Sequence, residues 1–205
     1  MTKLILVRHG HVEGISPERF RGRAELPLTE TGHREADATA KRIAASWRPA
    51  AIYTSPLGRC VETGAAIGKA AGLTPSVVLR LNDIDYGDWQ GLTRDEAYAR
   101  WPAEIGLWYA HPDWAAIPGG ETLQQVLARV VSTVRDIVRR HPDETVVFVA
   151  HDSVNRVLLL HALELPLSRY WRIKQSPCCI NEIDFGPDGW VIHSINRTGH
   201  LPQTN

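Results

Sequence analysis

Two short apolar runs in this chain each end on a histidine. Leu-Ile-Leu-Val-Arg leads into His9, and Val-Val-Phe-Val-Ala leads into His151. Arg8 precedes the first histidine, and a second guanidinium, Arg59, lies in the run Thr-Ser-Pro-Leu-Gly-Arg-Cys. Two guanidinium groups and two imidazoles brought together would suit a phosphoryl group, because planar forks match its oxygens and stay charged at any working pH. A neutral imidazole nitrogen can attack phosphorus and divide one hard displacement into two easier ones, which makes His9 the candidate nucleophile. Charge developing on the oxygens would be met by Arg8, Arg59 and a protonated His151, in the place a metal takes elsewhere. A leaving alkoxide also needs a proton. Asp83 is the candidate donor, with Asp85 and Asp88 as nearby competitors, and its carboxyl would need a pKa raised by burial.

Each residue has a plainer reading. Alone, His9 and His151 could be packed strand ends, Arg59 a solvated helix residue, and Asp83 a turn former. His9 and His11 alternate on one strand face and could suggest zinc. The sequence lacks a His-Glu-x-x-His run, however, and Arg8 would repel a cation, so no metal or other cofactor is expected. Cys178 and Cys179 read as small apolar packing groups.

The elements that must position these groups follow from periodicity. Leu4 to Val7 and Thr145 to Ala150 have the continuous branched pattern of strands buried on both faces. Shorter strands are expected at Ala51–Thr54 and Ser76–Leu79, and helices at Glu30–Trp47, from Ser55-Pro56 to about Ala71, and at Asp152–Leu163. After Gly119-Gly120, an apolar stripe from Leu123 to Val138 recurs at three- and four-residue steps, the mark of an amphipathic helix. Ile180–Phe185 and Trp190–Ile195 flank Gly-Pro-Asp-Gly and predict a terminal hairpin. The alternation predicts an α/β fold of three layers, α/β/α, with a mainly parallel sheet and an antiparallel edge strand. In such sheets ligands bind beyond the carboxyl ends of the strands, where both histidines fall. Residues 1–205 read as one domain. The stretch from about 83 to 122, rich in Trp, Tyr and Pro, breaks the alternation and is expected to cover the site like a lid.

Composition narrows the partners. Lys+Arg and Asp+Glu balance at 23 each, so no global field draws the chain to nucleic acid or an acidic membrane surface. Seven tryptophans without a basic stripe argue for packing and a lid rather than base stacking. No stretch approaches the roughly 20 apolar residues of a membrane span, and the N-terminal run is too short for a signal segment. Three cysteines make no disulfide framework, so a cytoplasmic location is expected. An edge strand or an exposed helix leaves room for a homodimer.

In order along the chain, the blocks Arg8-His9-Gly10, FRGRAELPLTETG from Phe20, YTSPLGRCVETG around Arg59, LNDIDYGDWQG around Asp83, PGGET from Pro118 and VAHDSVNR around His151 resemble the histidine phosphatase superfamily. That superfamily includes the cofactor-dependent phosphoglycerate mutases. The likeness spans nearly the whole chain. It implies His9 as the phosphorylated nucleophile, Arg8, Arg59 and His151 as the phosphate pocket, and Asp83 at an acid position the family usually fills with Glu. It also places Arg21 on a substrate-facing loop. Three departures bear on substrate preference: His11 replaces a common acidic residue, Ile15 an Asn that helps hold phosphate, and Asp152 a frequent Gly. Mutases of this kind are longer, with a Gly-Leu-Asn-Lys-like stretch where this chain has Gly91-Leu92-Thr93-Arg94. The resemblance therefore implies a phosphomonoesterase for a small phosphorylated metabolite. A mutase, or a phospho-ligand-binding module with little turnover, are the alternatives.

Overall fold

Alternate side chains of two central strands feed two separate cores. In the computed structural model, which describes residues 1–202, these strands are β1 (Thr2–Arg8) and β4 (Thr145–Ala150), paired parallel from Lys3–Thr145 to Arg8–Ala150. Leu4, Leu6, Val146 and Phe148 are buried with α5 (Leu123–Val138) and α6 (Asp152–Ala162). Ile5, Val7, Val147 and Val149 face the other way and pack with Ala40 and Ile43 of α1 (Glu30–Ser46) and Cys60 and Ile67 of α2 (Gly58–Ala71). A strand buried on both faces between helical layers is what the branched apolar runs require. Each such side chain contributes about 1.5–3 kcal/mol by leaving water.

The remaining strands are β2 (Pro49–Thr54), β3 (Ser76–Val77), β5 (Ile180–Gly186) and β6 (Gly189–Arg197). Their order is β3-β2-β4-β1-β5-β6, with parallel pairing from β3 to β1. The terminal hairpin adds the antiparallel edge, β5 pairing with β1 and β6 with β5. Expected helix ends fall within a few residues of those observed, and Thr29 caps α1 by accepting from the Gly32 N–H at 3.1 Å. The third strand is shorter than expected. It pairs on one side only, and after Val77 the chain tightens into a 3₁₀ turn at Leu79–Leu81. Within the α5 stripe, Leu127 and Val131 lie at the edge of the core, partly buried.

The 83–122 stretch has no strand among its described residues. It forms α3 (Arg94–Arg100), opened by a capping box of Thr93 and Glu96, and α4 (Pro102–Ala110). Trp89 and Trp108 are fully buried, and Trp108 packs edge-on to Tyr86, Trp89 and Trp171. The tryptophans from this stretch therefore divide, two serving as core while Trp114 is exposed. No helix among the described residues is long and apolar enough to cross a membrane.

Candidate active site

Because β1 and β4 are neighbours in register, the residues after them emerge side by side. The His9 backbone N–H donates to the Ala150 carbonyl at 3.0 Å, and the two imidazole rings meet edge-on at 5.2 Å between centroids. His9 is 2% exposed and His151 fully buried. At Nδ1, His9 meets the Gly10 carbonyl at 2.7 Å. A carbonyl only accepts, so the proton lies on Nδ1 and Nε2 carries the lone pair. Burial, then the charges of Arg59 and Arg8, hold His9 well below its ordinary value, so the ring is neutral.

Arg59, in the first turn of α2, is wholly buried and spends its donors on four partners. Nε donates to His9 Nε2 at 3.2 Å, Nη1 to the Ala24 carbonyl at 2.8 Å, and Nη2 to the Gly22 carbonyl at 2.7 Å and Asp83 Oδ2 at 3.3 Å. Arg8 is also buried. Its Nη1 donates to the Gln175 carbonyl at 2.6 Å, while Nε has no partner among the described residues. A buried donor left open in this way is suited to an anionic ligand.

Asp83 faces the same cluster. Oδ1 accepts from the Ile84 N–H at 2.9 Å and from the Ser153 hydroxyl, while Oδ2 lies 3.5 Å from His151 Nδ1. Burial pushes its carboxyl above the usual range, against the pull of Arg59 and with help from the charge of Asp152. Its two competitors lie elsewhere. Asp85 pairs with Arg23 at 3.1 Å and caps the Gly87 N–H, and Asp88 is exposed. His151 differs from expectation in charge. Burial, then Arg59 and Arg8, hold it well below the imidazole range, so it is neutral and its Nε2 meets Ser55 Oγ at 2.7 Å. Arg21 donates to the Gly14 carbonyl at 2.6 Å and lines a cavity beside Asp83 with Tyr86, Trp108, Tyr109, Asp152 and Trp171. The structure thus brings Arg8, His9, Arg59, Asp83 and His151 into one cluster, with Arg21 on the adjoining wall. Such a cluster can bind a tetrahedral anion, present a neutral nitrogen to it and supply a proton on the leaving side.

Residues 4–198 match the Histidine phosphatase superfamily (branch 1). The chain belongs to the histidine phosphatase superfamily. Phosphoserine phosphatase 1 of Hydrogenobacter thermophilus is 31% identical over 201 residues, covering 98% of this chain and 95% of the relative. Glucosyl-3-phosphoglycerate phosphatase of Mycolicibacterium vanbaalenii is 31% identical over 177 residues, covering 83% of this chain and 78% of its own. The solved structure of Bacillus stearothermophilus YhfR superposes with a TM-score of 0.93 at 30% identity, over 98% of this chain and 100% of that one.

The three departures from the histidine phosphatase pattern have defined places. Ile15 packs against an apolar cluster of Val12, Leu28, Ala36 and Cys178. The His11 N–H donates to Glu35 at 2.7 Å and its Nδ1 meets Thr29 Oγ1 at 2.9 Å. Asp152 opens α6 and lines the cavity. Burial would raise its carboxyl, but Arg8, Arg156 and Arg21 together hold it well below the usual range.

Several contributors lie outside the residues singled out from sequence. Ser55 directly follows β2 at the same sheet edge as both histidines, so topology alone could have found it. Ser153 follows His151 by two positions at a helix start. Gln175, which holds Arg8, lies in a loop with no sequence signal at all.

Proposed function

We propose that the chain is a metal-independent phosphomonoesterase that hydrolyses a small phosphorylated metabolite through a phosphohistidine at His9. The observation that carries this reading is the tautomer of His9, whose Nδ1 is tied to the Gly10 carbonyl while Nε2 faces Arg59 within a cluster shared with Asp83. On substrate binding, Arg59 and Arg8 turn to the phosphate oxygens and release the Nε2 lone pair. Nε2 then bonds to phosphorus as the phosphorus–oxygen bond to the alcohol breaks, and protonated Asp83 gives its proton to the departing oxygen. In the second half, the Asp83 carboxylate takes a proton from water as that water displaces Nε2, and inorganic phosphate leaves. An arriving dianion also opposes ionisation of Asp83, which favours the acid form when it is needed.

The alcohol half of the substrate occupies the cavity between Arg21, Asp152 and the aromatic wall of Tyr86, Trp108, Tyr109 and Trp171. We read residues 83–122 as a lid-like excursion of a single domain, because it contributes three of those four rings. A wall bearing Arg19 and Arg21 together with Glu18 and Asp152 suits a small polar leaving group, and phosphoserine heads the panel because a relative of similar length is named for it. The test is phosphate release from a panel of phosphomonoesters in EDTA, comparing the parent protein with His9→Ala. Release that survives the chelator and vanishes in the variant supports the reading. Loss in EDTA, or retention in His9→Ala, overturns it.

A further inference from the structure

Outside the cavity, on the far side of the loop that carries Asp83, one guanidinium has every donor engaged. Arg129 of α5 donates Nη1 to the carbonyls of Arg80 and Asn82, at 2.8 and 2.7 Å, and Nη2 to the carbonyl of Asp83 at 3.0 Å. Its Nε and Nη2 also form a two-pronged pair with Glu121, each at 2.9 Å. Arg129 therefore brackets three carbonyls of the segment that ends at the candidate acid. An arginine fork can do this because its donors lie in one rigid plane.

Glu121 extends the bracket to a second loop. Its Oε2 accepts from the Asp85 N–H at 3.0 Å and pairs with Arg23 Nη2 at 3.1 Å, while its own N–H donates to the Asp85 carbonyl at 2.9 Å. Arg23 adds a bond from Nε to the Asp83 carbonyl at 3.4 Å and a pair with Asp85 at 3.1 Å. Arg23 sits between Gly22 and Ala24, whose carbonyls hold Arg59. A single carboxylate thus ties together the loop bearing Asp83 and the loop fixing Arg59. Gly120 keeps this junction tight, since a Cβ there would stand 2.9 Å from Ile117 and 3.0 Å from the Gly87 nitrogen.

We propose that Arg129 and Glu121 are positioning residues that set the Asp83 carboxyl against the leaving oxygen without touching substrate. The inference rests on the acid role given to Asp83 above. A proton donor must sit within hydrogen-bond reach of its target, and a misplacement of about 1 Å can lower a rate on the order of a hundredfold. The effect must depend on the leaving group. An alkoxide cannot leave without a proton, whereas p-nitrophenolate can.

The experiment measures kcat/KM, which reports the steps up to departure of the alcohol, for an alkyl phosphate and for p-nitrophenyl phosphate in the parent, Arg129→Lys, Glu121→Gln and Asp83→Asn proteins, and takes the alkyl-to-aryl ratio within each. Using the ratio cancels any general loss of folded enzyme. Asp83→Asn should lower the ratio by about 100-fold or more. Arg129→Lys keeps the charge but cannot span three carbonyls, and should lower the ratio about 10-fold or more; Glu121→Gln should fall in the same direction. In the Asp83→Asn background, Arg129→Lys should lower the ratio no further. If Asp83→Asn lowers the ratio and neither bracket variant does, the bracket is only structural and the inference fails. If Asp83→Asn leaves the ratio unchanged, the acid role itself fails and the inference with it.

Discussion

Arg59 Nε lies 3.2 Å from His9 Nε2, so in the free protein a cation shields the nitrogen that would become the nucleophile. The contact does two things. It fixes the reactive tautomer, since a guanidinium can only donate, and it opposes protonation of the ring. In the proposed mechanism a phosphate dianion competes for the same guanidinium and thereby uncovers the nitrogen. Substrate binding and nucleophile release are then one event.

The pH dependence follows from the directions of two shifts. His9 must be neutral, and burial with Arg59 puts its pKa well below the imidazole value of 6.5. Asp83 must be protonated, and burial raises its pKa above 3.8. The rate should therefore fall in acid as His9 takes a proton and fall at higher pH as Asp83 loses one. A pH series of kcat/KM on an alkyl phosphate should give a bell, and Asp83→Asn should remove its alkaline limb. A profile that stays flat on the alkaline side in the parent would contradict the acid assignment.

Stability should respond to pH through the same histidines. His9 and His151 have folded-state values below 6.5, so unfolding takes up protons once the pH drops under that value. Their contribution is present above 6.5 and is lost as the pH falls towards their folded values. The melting temperature should decline through that window, and less steeply in His151→Asn. An equal decline in both proteins would show that other groups control it.

Arg59 should matter to folding as well as to turnover. Arg59→Met leaves the Gly22 and Ala24 carbonyls and Asp83 without their buried donor. Removing one partner of a buried pair costs about 3–5 kcal/mol. Urea unfolding should show a loss of that order together with loss of phosphatase activity. A stability change under about 1 kcal/mol would mean that the loop carbonyls find other donors.

Gly10 bears on geometry alone. A Cβ there would stand 2.5 Å from the Gly32 carbonyl oxygen at the start of α1, and that contact is backbone on both sides. Gly10→Ala must therefore shift the strand end that carries His9. Activity should fall at least about 10-fold by analogy with other misplaced groups, with the fold retained by circular dichroism. Unchanged kcat would show that the loop can absorb the methyl group without moving His9.

Much of this was legible in the sequence because it rests on local pattern. The doubly buried runs at Leu4–Val7 and Thr145–Ala150 fixed two central strands, and their ends fixed both histidines. The 83–122 stretch was opaque because α3 has seven residues and α4 nine, too few turns to display a stripe. Charge states were opaque for another reason. His151 reads as a potential cation until the structure surrounds it with Arg59 and Arg8 and removes water. The Arg129 bracket was equally hidden, since its partners are backbone carbonyls that carry no sequence signature.

The central claim is covalent chemistry at His9, and direct trapping of the intermediate tests it most sharply. The parent enzyme, mixed with substrate and quenched in alkali within the first turnovers, should gain the mass of one phosphoryl group. Peptide mapping should place it on His9, and acid should remove it, as expected of a phosphoramidate. His9→Ala should show no such adduct. A parent protein that turns over substrate without any acid-labile phosphoryl adduct, or an adduct that persists in His9→Ala, would contradict the account.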